Sequence, residues 1–177
     1  MKNHGISNGL ILGAVSVVIT LAVYLISLDL FFNLWFQFFI ALALNFFFMS
    51  RAGLMTRRDL NGFITFGQAL NPTFLTVVIG SLINTIFVYI LYHFIDPDLA
   101  ITAKEKTMEM MENLMRSIGA PEETLDKTMS DLEDQNFLPT IGKTFQQYFV
   151  SLILGFLGAV IVSLIIKRKP PVTISEV

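Results

Sequence analysis

Four stretches of this chain, Leu10–Leu28, Leu30–Met49, Phe74–Phe94 and Phe149–Ile166, contain no Lys, Arg, Asp or Glu. Each holds about 18–21 residues, the length an α-helix needs to cross roughly 30 Å of hydrocarbon at about 1.5 Å per residue. A backbone surrounded by lipid must satisfy its own N–H and C=O groups, and a helix does so within one segment. The expected fold is therefore all-α: an integral membrane four-helix bundle, a single membrane domain over residues 1–177. Its spans lie near 10–28, 30–49, 74–94 and 149–166, and Asp29 marks the turn between the first two.

The composition fits lipid better than water. Charged residues make up 15% of the chain, against about 25% in an ordinary soluble domain, and 17 residues are Phe. With no cysteine, disulfides, thiolate metal sites and cysteine nucleophiles are excluded. A net charge of −2 gives no bulk attraction to nucleic acid. Lys2 ahead of the first apolar run is shaped like the start of a signal peptide. The run is longer than a secretory apolar core, however, and no small-x-small cleavage site follows, so it reads as an uncleaved span.

Charge placement sets an orientation. Lys2 precedes span one, Arg51, Arg57 and Arg58 follow span two, and Lys167-Arg168-Lys169 follows span four. The segment 95–147 instead carries five basic and eleven acidic residues. Basic flanks stay on the cytoplasmic side, whereas long loops cross largely regardless of charge. Both termini and the Arg51–Arg58 loop are expected inside and the acidic segment outside. Trp35, Tyr24, Tyr89, Tyr92 and Tyr148 fall toward the outer ends of their spans, where an amphipathic ring is favoured.

Helices in lipid associate through close contact and polar groups. Gly5, Gly9 and Gly13 form a stripe at fourfold spacing on the first span; Ser151, Gly155, Ala159 and Ser163 form a longer one on the fourth. The two stripes are expected to pack antiparallel. Asn33, Gln37 and Asn45 on the second span, and Asn84 and Thr85 on the third, fit interhelical hydrogen bonding, with an Asn45–Asn84 pair as one arrangement; lining a solute path is the competing use.

In the inner loop, Thr65-Phe66-Gly67-Gln68 fits a capping box at a helix start, and Pro72 permits a turn or kink. Phe63, Ile64 and Phe66 beside Arg57 and Arg58 suit the headgroup boundary, where the two arginines would meet lipid phosphates.

Outside, Asp96 is expected to cap a helix that has Pro97 at its first position. Met108, Met111, Met115 and Ile118 give this helix an apolar face, Gly119 ends it, and Pro121 opens a second helix bearing Leu125, Met129 and Leu132. An amphipathic helical hairpin over 96–143, with helices near 97–118 and 121–135, is the result. Thioethers crowded at Met108, Met110, Met111 and Met115 are chemically able to hold Cu(I). Without a supporting His or Cys, they read as adaptable packing or a partner face at Met108, Met111 and Met115. His4 sits in a flexible tail, and His93 near Asp96 reads as incidental. No catalytic triad, phosphate loop or HExxH pattern is present, so no catalytic residue, cofactor or metal is expected.

Asn8-Gly9 at the first span, Asn61-Gly62-Phe63-Ile64-Thr65-Phe66-Gly67-Gln68-Ala69 before the third, Asp96-Pro97 after it, and the Met- and Glu-rich hairpin before a span ending in Lys167-Arg168-Lys169 together resemble one family. It comprises small four-span bacterial inner-membrane proteins catalogued only as a domain of unknown function. The resemblance covers nearly the whole chain and implies a topology and a bacterial envelope setting, but no activity or site. The expected role is non-catalytic: interaction or scaffolding through the outer hairpin or inner loop, with membrane lipid and either a protein partner or further copies of the chain as contacts. A small transporter or channel subunit is the alternative.

Overall fold

The computed structural model describes residues 3–168, and within them the chain is all-helical. Lys2 and Lys169, used above to orient the chain, lie outside the described residues. The helices are α1 (His4–Ile26), α2 (Leu28–Phe32), α3 (Leu34–Asp59), α4 (Phe66–Ile90), α5 (Leu99–Ser117), α6 (Glu122–Glu133) and α7 (Ile141–Ile166). α4 continues into a π-helical turn, Leu91–Ile95, closed by the Asp96 N–H on the Leu91 carbonyl at 2.8 Å. Four helices are long and apolar enough to cross a membrane: α1, α3, α4 with its π turn, and α7.

These helices outrun the apolar runs. α1 begins six residues before Leu10, α3 ends at Asp59 rather than Met49, α4 begins at Phe66 and α7 at Ile141. Hydropathy marks only the part that lies in hydrocarbon, whereas caps decide where helix begins. Asn3 Oδ1 accepts from the Ile6 N–H at 3.3 Å. The Thr65 N–H donates to Gln68 Oε1 at 2.9 Å while Thr65 Oγ1 accepts from the Gln68 N–H at 3.4 Å, the reciprocal capping box expected from sequence. Asn33, expected inside a span, is instead the N-cap of α3, its Oδ1 accepting from Phe36 N–H at 3.0 Å. α3 ends in a Schellman turn: Asn61 (φ 57°) donates to the Arg58 carbonyl and Gly62 (φ 87°) to that of Arg57. Asn and Gly tolerate this left-handed backbone best.

The chain forms two compact units, one from residues up to 86 together with 145 onward, the other from 87–144. In the first, α4 receives both small-residue stripes. A Cβ on Gly5 would meet the Pro72 carbonyl at 2.9 Å, one on Gly9 would meet Ile79 Cβ at 2.8 Å, and one on Gly13 Ile83 Cβ at 2.7 Å. On the fourth-span stripe, a Cβ on Gly155 would collide with Val77 Cγ1, and Ser163 Oγ lies 3.0 Å from Thr73 Oγ1. Contrary to the antiparallel packing expected from sequence, the stripes do not face each other; each faces α4. Spacing shows that a face is narrow, not which neighbour fills it. The apolar core lies among α3, α4 and α7, around Met49, Ala69, Val77, Ala159, Val162 and Ile166, with Ile64 from the loop.

In the second unit, α5 and α6 form a hairpin. Gly119 (φ 70°) ends α5: its N–H donates to the Arg116 carbonyl at 3.1 Å and that of Ala120 to the Met115 carbonyl at 2.9 Å. The start of α5 differs from expectation. Asp96-Pro97-Asp98 forms a turn, with the Leu99 N–H on the Asp96 carbonyl at 3.2 Å, and helix begins at Leu99. The Asp96 N–H closes the preceding π turn, and Asp98 rather than Asp96 stands at the N-cap, with no side-chain cap bond.

Candidate functional site: the polar cluster at the 51–68 end

Polar side chains in the first unit concentrate where α1 begins, α3 ends and α4 begins. His4 Nε2 donates to Asp59 Oδ2 at 2.7 Å; the imidazole is buried and the carboxylate half-exposed. His4 is thus part of α1, bound across 55 positions, and not in a flexible tail. Asn8 Nδ2 donates to the His4 carbonyl at 2.8 Å, while its buried Oδ1 has no hydrogen-bond partner. Thr76 Oγ1 donates to the Pro72 carbonyl at 2.7 Å and lies 3.3 Å from the Gly5 carbonyl. The Thr76 hydroxyl is thereby satisfied on its own helix while it sits against the backbone of α1. A groove of about 280 Å³ opens beside this cluster, lined by Asn3, His4, Thr56, Leu60, Gln68, Asn71 and Pro72.

The end of α7 is clasped from two directions. Arg57 Nη1 donates to the Ile166 carbonyl at 3.2 Å, one of the last carbonyls of that helix and so without a partner on it. Ile64 and Arg168 exchange two backbone hydrogen bonds, both 2.9 Å, in an isolated antiparallel bridge. The inner loop is thereby held, with Ile64 buried. Of the two arginines expected at lipid phosphates, Arg57 is half-buried on the end of α7, and Arg58 is exposed.

The in-span polar residues turn to their own surroundings. Gln37 Nε2 donates to the Phe31 carbonyl at 3.1 Å, and Asn45 Nδ2 to the Ala41 carbonyl at 2.7 Å. Asn84 accepts from Thr20 Oγ1 at 3.1 Å, so it binds α1 rather than Asn45. A groove of about 190 Å³ among α3, α4 and α7 has Ser81 and Ser151 on its wall, and each hydroxyl donates at 2.7 Å to a carbonyl of its own helix, from Val77 and Tyr148. Of these bonds, Thr20–Asn84 joins two spans, whereas Asn45, Ser81 and Ser151, which all line this groove, bond carbonyls of their own helices.

On the hairpin, Met115 is buried, at 8% exposure, and Met108 and Met111 are half-buried. Toward the end of α5 the exposed apolar side chains are Met110 (45%) and Leu114 (53%), one position before Met111 and Met115, followed by Ile118 (71%) just past the helix; Ile101 (59%) is exposed in the first turn. The expected face is split: Met115 turns inward and Met108 and Met111 lie half-buried, while Ile118 of the same face is exposed. Among the described residues no group of three His, Cys, Asp or Glu side chains is placed to hold a metal.

Sequence reading missed His4, Asn8 and Asp59. Two signals were present: Asn3 at cap spacing from Ile6, and Asp59 as the one acid beside three arginines.

The fold defines a class, all-helical proteins with four helices long and apolar enough to cross a membrane, built here around the third of them. The particular family follows from comparison with known proteins: residues 7–168 match the family described as protein of unknown function (DUF4199), and the chain belongs to it. No curated protein matches, and no solved structure does.

Proposed function

We propose that this is a non-catalytic membrane protein that acts by binding another protein through the hairpin 96–143. The observation that supports it is the row Met110, Leu114 and Ile118 at fourfold spacing, apolar and exposed among the charged residues Glu109, Glu112 and Arg116. The setting we propose is a bacterial inner membrane, with both termini and residues 51–65 cytoplasmic and the hairpin on the opposite side, as the basic flanks favour.

A photo-crosslinker at Leu114 in native membranes tests this reading. One reproducible heterologous product, abolished by Met110→Asp with insertion unchanged, supports it. Self-crosslinks alone, accompanied by solute flux in vesicles, would replace it with a small transporter or channel subunit. The chain lacks cysteine, so single-cysteine variants at Glu112 and Arg58 read orientation directly. An impermeant maleimide should label the first and not the second in intact cells.

A further inference from the structure

We infer that the lipid-facing side of α3 carries a binding site for an anionic phospholipid, held through its phosphate by Arg51 and Arg58. A shallow, open recess of about 700 Å³ runs along this helix, lined by residues of α3 alone: Phe46, Phe47, Ser50, Arg51, Leu54, Met55 and Arg58. Its chemistry is graded. Phe46 and Phe47 lie at the end deeper in the apolar run, Ser50 and Arg51 come one turn later, and Leu54 with Met55 leads to Arg58 near the helix end. A diacyl phospholipid has the same gradient, with tails at one end and a phosphate at the other.

The two guanidiniums are seven residues apart, two turns or about 10.5 Å along the axis on one face. Arg51 is the deeper, just two residues past Met49, and a guanidinium at that depth is favoured when its apolar stem extends toward water, which is the direction of Arg58. Both are exposed, and among the described residues neither has an ion-pair or hydrogen-bond partner; the nearby carboxylate, Asp59, is bound by His4. Two unneutralised guanidiniums at the headgroup boundary attract phosphate, and each offers a planar fork of donors that fits its oxygens. Arg57 lies outside the site because its guanidinium is on the end of α7. The inference rests on the membrane reading alone and is independent of what the hairpin binds.

The test uses the full-length chain, purified in mild detergent and stripped of lipid. Phosphatidylglycerol and phosphatidylcholine with matched acyl chains are titrated separately, and bound lipid is counted by native mass spectrometry. At about 1 kcal/mol for each arginine near a charged headgroup, wild type should prefer phosphatidylglycerol roughly ten- to thirtyfold. Arg51→Gln/Arg58→Gln should lose that preference, Arg51→Lys/Arg58→Lys should keep most of it, and Arg116→Gln/Lys127→Gln, a charge-matched change on the hairpin, should leave it intact. An unchanged elution profile and helical circular dichroism for the Gln variant show that the loss is not misfolding. Equal affinity of wild type for the two lipids, or preference retained in the Gln variant, overturns the site. Displacement of the lipid by millimolar inorganic phosphate also overturns it, since the recess would then hold a free anion.

Discussion

Gly80 and Leu12 offer the sharpest test of the α1–α4 contact. Leu12 is buried at 2% exposure, and its Cγ and Cδ2 lie 2.6 Å from where a Cβ on Gly80 would stand. Ordinary carbon contacts are about 3.5–4.0 Å, so Gly80→Ala overlaps by roughly 1 Å and should destabilise by about 1–3 kcal/mol. Leu12→Ala alone leaves a void. Separated helices would keep Leu12 in hydrocarbon, which removes most of the transfer component, and the lost packing that remains is about 1–2 kcal/mol. In the double variant, the new methyl occupies space vacated by Leu12 Cγ and Cδ2, and its nearest neighbour becomes the residue-12 Cβ at 3.1 Å. Both penalties shrink, so the double variant should be more stable than the summed singles imply by at least about 1 kcal/mol. Reversible unfolding in mixed micelles, followed by circular dichroism while the denaturing detergent fraction rises, measures all four corners of the cycle. Additivity within about 0.5 kcal/mol would refute face-to-face packing of Gly80 and Leu12.

Other variants probe the ends. Thr65→Ala removes half of the reciprocal cap and should lower stability by about 1 kcal/mol in the same unfolding assay, with Thr65→Ser retaining most of it. Gly119→Ala meets no atom within 4 Å, so its whole effect is the left-handed backbone, about 1 kcal/mol against the α5–α6 turn; hydrogen exchange should rise in 115–125 and stay unchanged in α1. His4→Ala should cost about 1 kcal/mol, and almost nothing once Asp59→Asn is already present, because the pair is one hydrogen bond; equal effects in both backgrounds would contradict the 2.7 Å contact.

The parts of this fold that could be read from residue order share a short range. Thr65 and Gln68 are three apart, Gly119 and Pro121 two apart, and the spans depend on local apolarity alone. What was misread depends on partners far along the chain. His4 looked mobile because no side chain within a turn holds its imidazole; the anchor of the ring is Asp59. Each glycine stripe announced a close approach, yet residues 72–83 receive both, and no spacing rule ranks the candidate neighbours. Arg57 and Arg58 are adjacent and alike in sequence, but successive helical positions point about 100° apart, which sends one to the end of α7 and leaves the other exposed. The methionine face shows the same limit: a 3.6-residue period gives the stripe but not the direction in which it turns.

The position of α4 between two small-residue faces has a consequence for synthesis. At about 5–20 residues per second, several seconds pass between emergence of Ile26 and of Ile90 from the ribosome. During that delay the notched side of α1 has no mate, and its Thr20 hydroxyl waits for Asn84. An insertion factor that shelters the early segments, or slow translation near residues 60–90, would govern yield far more than the durability of the finished bundle.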